Sequence, residues 1–334
     1  GMVVFIPFGA PGDIVDIEIV TKRKTYAEGK IINIISPSPF RVEPFCEHFG
    51  MCGGCRWQHL DYKQQLSAKQ KYVIESLERI GKIKDAHYKP IIDSKEDKFY
   101  RNKLEFTFAD RRWLTPEEIS SEEQFDQRSL GFHIPNRFDK IIDVKKCYLQ
   151  EDISNEIRKK TKQFAIENNI DFFNLWSKQG MFRNLIIRNN TIGEFMVILV
   201  VFEENTEINK AYIDYITKHI PQIKSLYIAI NNKQNDSMDD VPFIHIWGNK
   251  YIEEIIDDFT FRIHPASFFQ TNTKQAIKLY HAAIDMIDFT GNEVAYDLYS
   301  GIGTIATLLS KKAKKVIGIE YSKEAVTDGI ANLK

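Results

Sequence analysis

Four cysteines are the residues whose type and spacing most directly suggest chemistry. Three stand close together in Cys46-Glu-His-Phe-Gly-Met-Cys52-Gly-Gly-Cys55, and the fourth, Cys147, lies far downstream. Thiolates are soft donors, and a set of four suits Zn²⁺ or an iron–sulfur centre. Structural zinc usually takes two close pairs. Three thiols from one loop and one from a remote segment favour a [4Fe–4S] cube, and Gly53 and Gly54 would let backbone N–H groups approach its sulfurs. Four unrelated buried thiols are the plainer alternative, because free cysteine packs as a small hydrophobe. His48 and His59 are possible donors by type but are read as neighbours of the centre rather than ligands.

A second group is Asp297-Leu-Tyr-Ser-Gly301-Ile-Gly303-Thr304. It follows a short apolar run and opens a helical one. Glycines there let a cofactor approach the backbone, where a side chain would block it. Glu320, at the end of the next apolar run, could accept the ribose hydroxyls of an adenosine. With Ala306 the loop also satisfies G-x-G-x-x-A, so a dinucleotide remains open beside S-adenosylmethionine, as does a βα turn without ligand. Asp297, placed to meet a methionine ammonium, and the loop's position behind a cysteine-rich region tilt the reading to S-adenosylmethionine.

The elements that would carry these groups follow from periodicity. Residues 3–38 read as short strands (Val3–Ile6, Ile14–Val20, Gly29–Ile35) with a turn at Pro11-Gly12-Asp13 and a basic loop at Lys22-Arg23-Lys24, which fits a small barrel of the OB type. Asp61 to Ile80 reads as a helix with Asp61 as N-cap and Gly81 as its end. Leu66, Val73, Leu77 and Ile80 form one face, and Lys63, Lys69, Lys71 and Arg79 the other. From about 90 to 255 the clearest strands are Leu104–Phe108, Leu185–Arg188, Glu194–Phe202 and Leu226–Ile230, with a hairpin turn at Asn189-Asn190 and Gly193. This predicts a mainly antiparallel sheet. Thereafter helix Thr273–Ile287, strand Val294–Leu298, a helix from Thr304, strand Val316–Glu320 and helix Ser322–Leu333 alternate, which predicts a parallel sheet.

The 334 residues suggest two or three domains, and 45 basic against 46 acidic side chains give no overall nucleic-acid signal. RNA contact would have to come from local patches: Lys22, Arg23 and Lys24, the basic face of the 61–80 helix, and the aromatics Phe45, Phe49 and Trp57. No apolar run is long enough to span a bilayer and no signal peptide is apparent, so a cytoplasmic protein with reduced thiols is expected.

Together, Cys46-x5-Cys52-Gly-Gly-Cys55-x2-Gln58-His59, Asp143-Val-x2-Cys147-x2-Gln150, Tyr100-Arg101-Asn102-Lys103 and Ser267-Phe-Phe-Gln270-Thr-Asn272 resemble the RNA uridine-5-methyltransferase family, and within it the iron–sulfur, ribosomal-RNA branch. The first residues resemble a TRAM domain. The resemblance implies α/β plus β architecture: a TRAM/OB-like barrel over 1–40, incomplete at its start; an iron–sulfur-containing central α+β domain with an antiparallel sheet over 41–57 and 90–255; a helix over 58–89 packing on the methyltransferase domain; and an incomplete Rossmann-like, S-adenosylmethionine-binding domain over 256–334. Cys46, Cys52, Cys55 and Cys147 would hold the [4Fe–4S] cluster. Gln270, Tyr299, Thr304 and Glu320 would contact S-adenosylmethionine, with Asp297, Gly301 and Gly303 shaping the loop.

The implied activity is methyl transfer to carbon 5 of uridine in RNA, with 23S ribosomal RNA as the partner, no membrane, and no obligate protein partner. In the family a thiolate adds to carbon 6 and a base removes the carbon-5 proton. No cysteine follows Cys147, so no catalytic residue is named; nucleophile and base are expected beyond Lys334, and these residues alone are expected to methylate nothing. A non-catalytic iron–sulfur RNA-binding protein is the alternative. A radical methylthio-transferring enzyme would need CxxxCxxC spacing, which the cysteines do not have.

Overall fold

Alternating residues over 14–36 build a long hairpin from β2 (Ile14–Lys22) and β3 (Tyr26–Ser36), with β1 (Val3–Phe5) added parallel to β3, giving the order β1-β3-β2. The computed structural model describes residues 1–333 apart from 122, 236 and 239, and the chain divides into two units, Gly1–Asp97 and Lys98–Lys334. The barrel expected over 1–40 is not closed among the described residues: the hairpin is a three-stranded open sheet. Its register shifts at three places, which coils the strands. Three strands nevertheless leave two edges, and closure needs every edge paired.

The segment after β3 is latched to the turn that precedes β2 by Asp13. Its carboxylate accepts both Nε (2.8 Å) and Nη2 (2.6 Å) of Arg41, together with the N–H groups of Ala10 and Ser38. The Arg41 guanidinium holds Asp13 well below the usual carboxylate range. The predicted helix begins as expected, with Asp61 accepting from Lys63 N ahead of α1 (Tyr62–Glu75). It does not remain α-helical to Ile80: a π-helical turn occupies Ser76–Ile80. The Ser76 hydroxyl donates back to Tyr72 O (2.7 Å), and Gly81 N closes on Ser76 O (3.0 Å). Such back-bonding bends helices and favours the wider turn.

The second unit is built on a seven-stranded sheet in the order β10-β9-β8-β7-β4-β5-β6. Its strands are β4 (Lys103–Ala109), β5 (Ser129–His133), β6 (Ile141–Ile142), β7 (Phe182–Asn189), β8 (Phe195–Val201), β9 (Ile223–Ile230) and β10 (Phe243–Gly248). A short α2 (Pro116–Ser120) and the long α3 (Asp152–Glu167) and α4 (Thr206–His219) complete it. Every residue of β7 and β8 is buried, and the unbroken run Phe-Met-Val-Ile-Leu-Val-Val suits a strand covered on both faces. The sheet is antiparallel as expected except for β8–β9, which run parallel because α4 forms the crossover between them. Asn190 and Gly193 make the predicted turn, Gly193 with φ +84°.

Beyond the sheet come the hairpin β11 (Ile252–Ile256) and β12 (Phe259–Ile263), and then α5 (Thr273–Ile284). The chain next alternates through β13 (Val294–Leu298), α6 (Thr304–Leu309), β14 (Lys315–Ile319) and α7 (Lys323–Asn332). The strands β13 and β14 pair in parallel, as the alternation predicted. One buried cluster runs from Ile186, Met196 and Ile198 of the sheet through Ile256, Phe261, Phe269, Ala276 and Tyr280 to Ile302, Leu308 and Leu309. Sheet, hairpin, α5 and the glycine loop therefore share one core.

Candidate cofactor site

The loop between β13 and α6 is shaped by backbone conformation. Tyr299, Gly301 and Gly303 all have positive φ (+63°, +55° and +79°). Gly303 is the N-cap of α6, and a glycine has no side chain to cap with. Asp297 takes over: its Oδ2 accepts from Ala306 N at 2.9 Å. The Asp297 carboxyl is nearly buried. Burial pushes its pKa up and the helix N–H pulls it down. Asp297 thus serves first as the cap of α6 through one oxygen, and a methionine ammonium expected there would be met by the acceptor positions that this bond does not use.

Glu320 closes the loop from the end of β14. Its Oε2 accepts from Gly301 N, and its Oε1 from Tyr321 N and Ser322 N, each at 2.8 Å. These three N–H groups lower its pKa, Ser322 most. A carboxylate offers about four acceptor positions. Glu320 can therefore take one ribose hydroxyl as it stands, and takes a second only by exchanging the Gly301 bond.

The remaining expected contacts divide. Tyr299 is 91% exposed beside the loop, whereas Thr304 is buried at the first turn of α6. Gln270 is partly buried in an irregular segment, and its carbonyl accepts from Asn102 Nδ2 at 2.8 Å. Phe269 and Ile302, the immediate neighbours of Gln270 and of both loop glycines, lie in the same buried cluster, which brings the two segments together.

Several residues that hold this site carry no role in the sequence reading. Asp328 of α7 accepts from Ser267 Oγ (2.8 Å), and its other oxygen lies 2.7 Å from His264 Nδ1, off the line of a hydrogen bond. Asn332 Nδ2 donates to Ile302 O (3.2 Å). Arg188, buried in β7, donates to Ser267 O (2.7 Å), and burial pulls its pKa down to about 10. A charged residue directly after the apolar run Leu185-Ile186-Ile187, as Arg188 is, is the available signal. Asp328 and Asn332 look like ordinary residues of an amphipathic helix.

Of the four cysteines, Cys46, Cys52 and Cys55 are half-buried and Cys147 is buried. Gly54 N points at Cys52 Sγ (3.4 Å). Burial pushes the Cys46 thiol up, with a further contribution from Cys55. Cys147 is clamped to α3 by reciprocal bonds with Asn155 (2.8 and 2.9 Å). The chemistry of this donor set suits a thiophilic centre. However, among the described residues no three His, Cys, Asp or Glu side chains are gathered as metal ligands.

Of the expected RNA contacts, Lys22 ends β2 rather than lying in the loop, and Lys22, Arg23 and Lys24 form an exposed basic hairpin tip. On α1 and its π turn, Lys71 and Arg79 both approach Glu75, at 4.0 and 3.3 Å, which offsets part of the basic face. Phe49 packs against Phe8 (5.4 Å between ring centroids) and His59 (5.5 Å), so it is a packing residue, while Trp57 is 41% exposed. No described helix is long and apolar enough to cross a membrane.

The chain is 44% identical over 336 residues to an uncharacterized RNA methyltransferase of Bacteroides thetaiotaomicron, covering 99% of this chain and 74% of that protein. A second, from Porphyromonas gingivalis, is 42% identical over 337 residues, with 99% and 72% covered. Among solved structures, the Pyrococcus abyssi tRNA (uracil-54, C5)-methyltransferase in complex with S-adenosyl-L-homocysteine superposes with a TM-score of 0.71 at 27% identity, over 99% of this chain and 71% of that one. No protein-family model matches the chain.

Proposed function

The chain belongs to the RNA methyltransferase family, and on that premise we propose that it binds S-adenosylmethionine in the β13–α6 loop for methyl transfer to carbon 5 of uridine in RNA. The observation that carries the reading is the bridge from Gly301 N to Glu320 Oε2 across a left-handed glycine loop. It sets a fixed carboxylate beside open backbone, the combination that an adenosine ribose needs. The cofactor supplies a methyl group on a sulfonium. The residues of this chain bind and orient it: Glu320 takes the ribose, Gly301 and Gly303 leave room for it, Asp297 fixes α6, and Gln270 and Tyr299 flank the loop. Thr304, being buried, acts through packing.

Uracil as the target base draws support from the tRNA uracil-54 enzyme. Two RNA classes stand as readings. The cysteine spacing favours 23S ribosomal RNA, and the structural relative favours tRNA. Mapping 5-methyluridine by mass spectrometry in both RNAs, from cells with and without the gene, separates them. Loss from one class identifies the substrate, and unchanged 5-methyluridine in both refutes the uracil-5 assignment.

The four cysteines are proposed to hold a [4Fe–4S] cluster with a structural role, and no step of the transfer is routed through it. Its support is donor chemistry and spacing. Anaerobic purification with iron and zinc analysis tests it: stoichiometric zinc without iron removes it.

A further inference from the structure

We propose that Asn102 is a positioning residue for cofactor binding, setting the presentation of Gln270. The inference rests on the reading above that Gln270 contacts S-adenosylmethionine. Asn102 stands at the entry to β4, distant in sequence, and is 9% exposed. Both hydrogens of its amide are used: Nδ2 donates to Gln270 O (2.8 Å) and to Thr273 Oγ1 (2.9 Å). Its backbone N–H donates to Thr271 O (2.8 Å), and its carbonyl accepts from Asn189 N of β7 (3.0 Å). A single residue therefore ties the 270–273 segment to the central sheet by three bonds.

The clamp continues inward. The Thr273 hydroxyl, having accepted from Asn102, donates to Glu254 Oε2 (3.0 Å). Glu254 is fully buried and also accepts from the backbone and hydroxyl of Thr191 and from Ile255 N. The 264–272 segment has no ladder of its own, so its carbonyls are taken one at a time: Ser267 O by the Arg188 side chain, Gln270 O by the Asn102 amide and Thr271 O by the Asn102 backbone. Phe269 is anchored in the core on one side of Gln270, and Asn272 caps α5 on the other. With both flanks fixed, the Asn102 amide decides which way the Gln270 peptide faces, and hence where its side chain starts. Only a group with two N–H donors fits: a carboxylate would turn an oxygen towards Gln270 O, and an alanine would leave that carbonyl unpaired.

The test is a double-mutant cycle on S-adenosyl-L-homocysteine affinity, measured calorimetrically on the whole chain. We expect Gln270→Ala and Asn102→Ala each to weaken binding by about tenfold, and Asn102→Asp to do at least as much. The double variant should be little weaker than either single one, because both remove the same interaction. Thr273→Val, which keeps the bond to Gln270 O but cuts the link to Glu254, is the fallback if Asn102→Ala does not fold. It should show a smaller loss with the same coupling to Gln270→Ala. A residue that only stabilises the fold would lower the melting temperature and give additive binding losses. Additivity, or unchanged affinity in Asn102→Ala while Gln270→Ala binds weakly, overturns the positioning role. Unchanged affinity in Gln270→Ala, or no binding by the unaltered chain, instead overturns the cofactor assignment and the inference with it.

Discussion

Replacing Glu320 by glutamine changes one atom of the side chain and separates the two things its carboxylate does. The carboxylate accepts three backbone N–H groups at 2.8 Å, one on Oε2 and two on Oε1. Glutamine keeps one oxygen. Its best orientation satisfies Tyr321 and Ser322 and turns the NH₂ towards Gly301 N–H, losing that bond and placing donor against donor. A hydrogen bond to a charged acceptor contributes about 1.5–3 kcal/mol. Partial exposure screens this, so about 1–2 kcal/mol is expected, or roughly a tenfold weaker affinity for a ligand that needs the loop closed. The pH dependence has a definite sign. The pKa of Glu320 is lowered in the folded protein, so its contribution is fully present above the unfolded value near about 4.3 and is lost as pH falls through the depressed folded value. The unaltered chain should therefore hold S-adenosyl-L-homocysteine evenly from neutral pH down to about 5, and Glu320→Gln should bind weakly across that range. Calorimetric titration at several pH values reads both. An affinity for Glu320→Gln within about twofold of the parent would refute the assignment of ribose binding to this carboxylate.

Other perturbations follow from single observations. Gly303→Ala keeps an ordinary 3.8 Å contact to Gly329 Cα but forces a side chain to φ +79°; it should cost about 1–2 kcal/mol in a denaturant melt, and an unchanged midpoint would contradict the left-handed cap. Asp13→Asn cannot accept from both nitrogens of Arg41 and two N–H groups, so unfolding of the first unit should become easier by about 2–3 kcal/mol. The Asp13 pKa is depressed in the folded state, so the parent should keep this contribution above about pH 3.9 and lose it only on further acidification. The variant should lack that acid-dependent loss, and identical acid titrations would show that the latch contributes nothing. Replacing Lys22, Arg23 and Lys24 by alanine should lower the salt slope of RNA binding by about two, at roughly 0.7 per phosphate contact; an unaltered slope would remove the hairpin tip from the RNA interface.

What the sequence determined about this protein is what short-range order can encode. Asp61 caps α1 because an acceptor before an amphipathic run meets the first free N–H groups. The turn at Asn190 and Gly193, the strand Val294–Leu298 and the glycine loop all lie where spacing placed them. The tertiary structure alone decided the rest. Among the described residues the N-terminal strands form a three-stranded open sheet, because which strand lies between which is set by pairing and not by the alternation within each strand. Asp297 is spent partly on capping α6, since Gly303 has no side chain to do it. Gln270 is held by Asn102, a residue 168 positions away. Periodicity reports which face of an element is apolar; it carries no information about which distant polar group satisfies a given carbonyl. Those pairings exist only once the core that joins Phe269 to Ile302 has formed and excluded water from them.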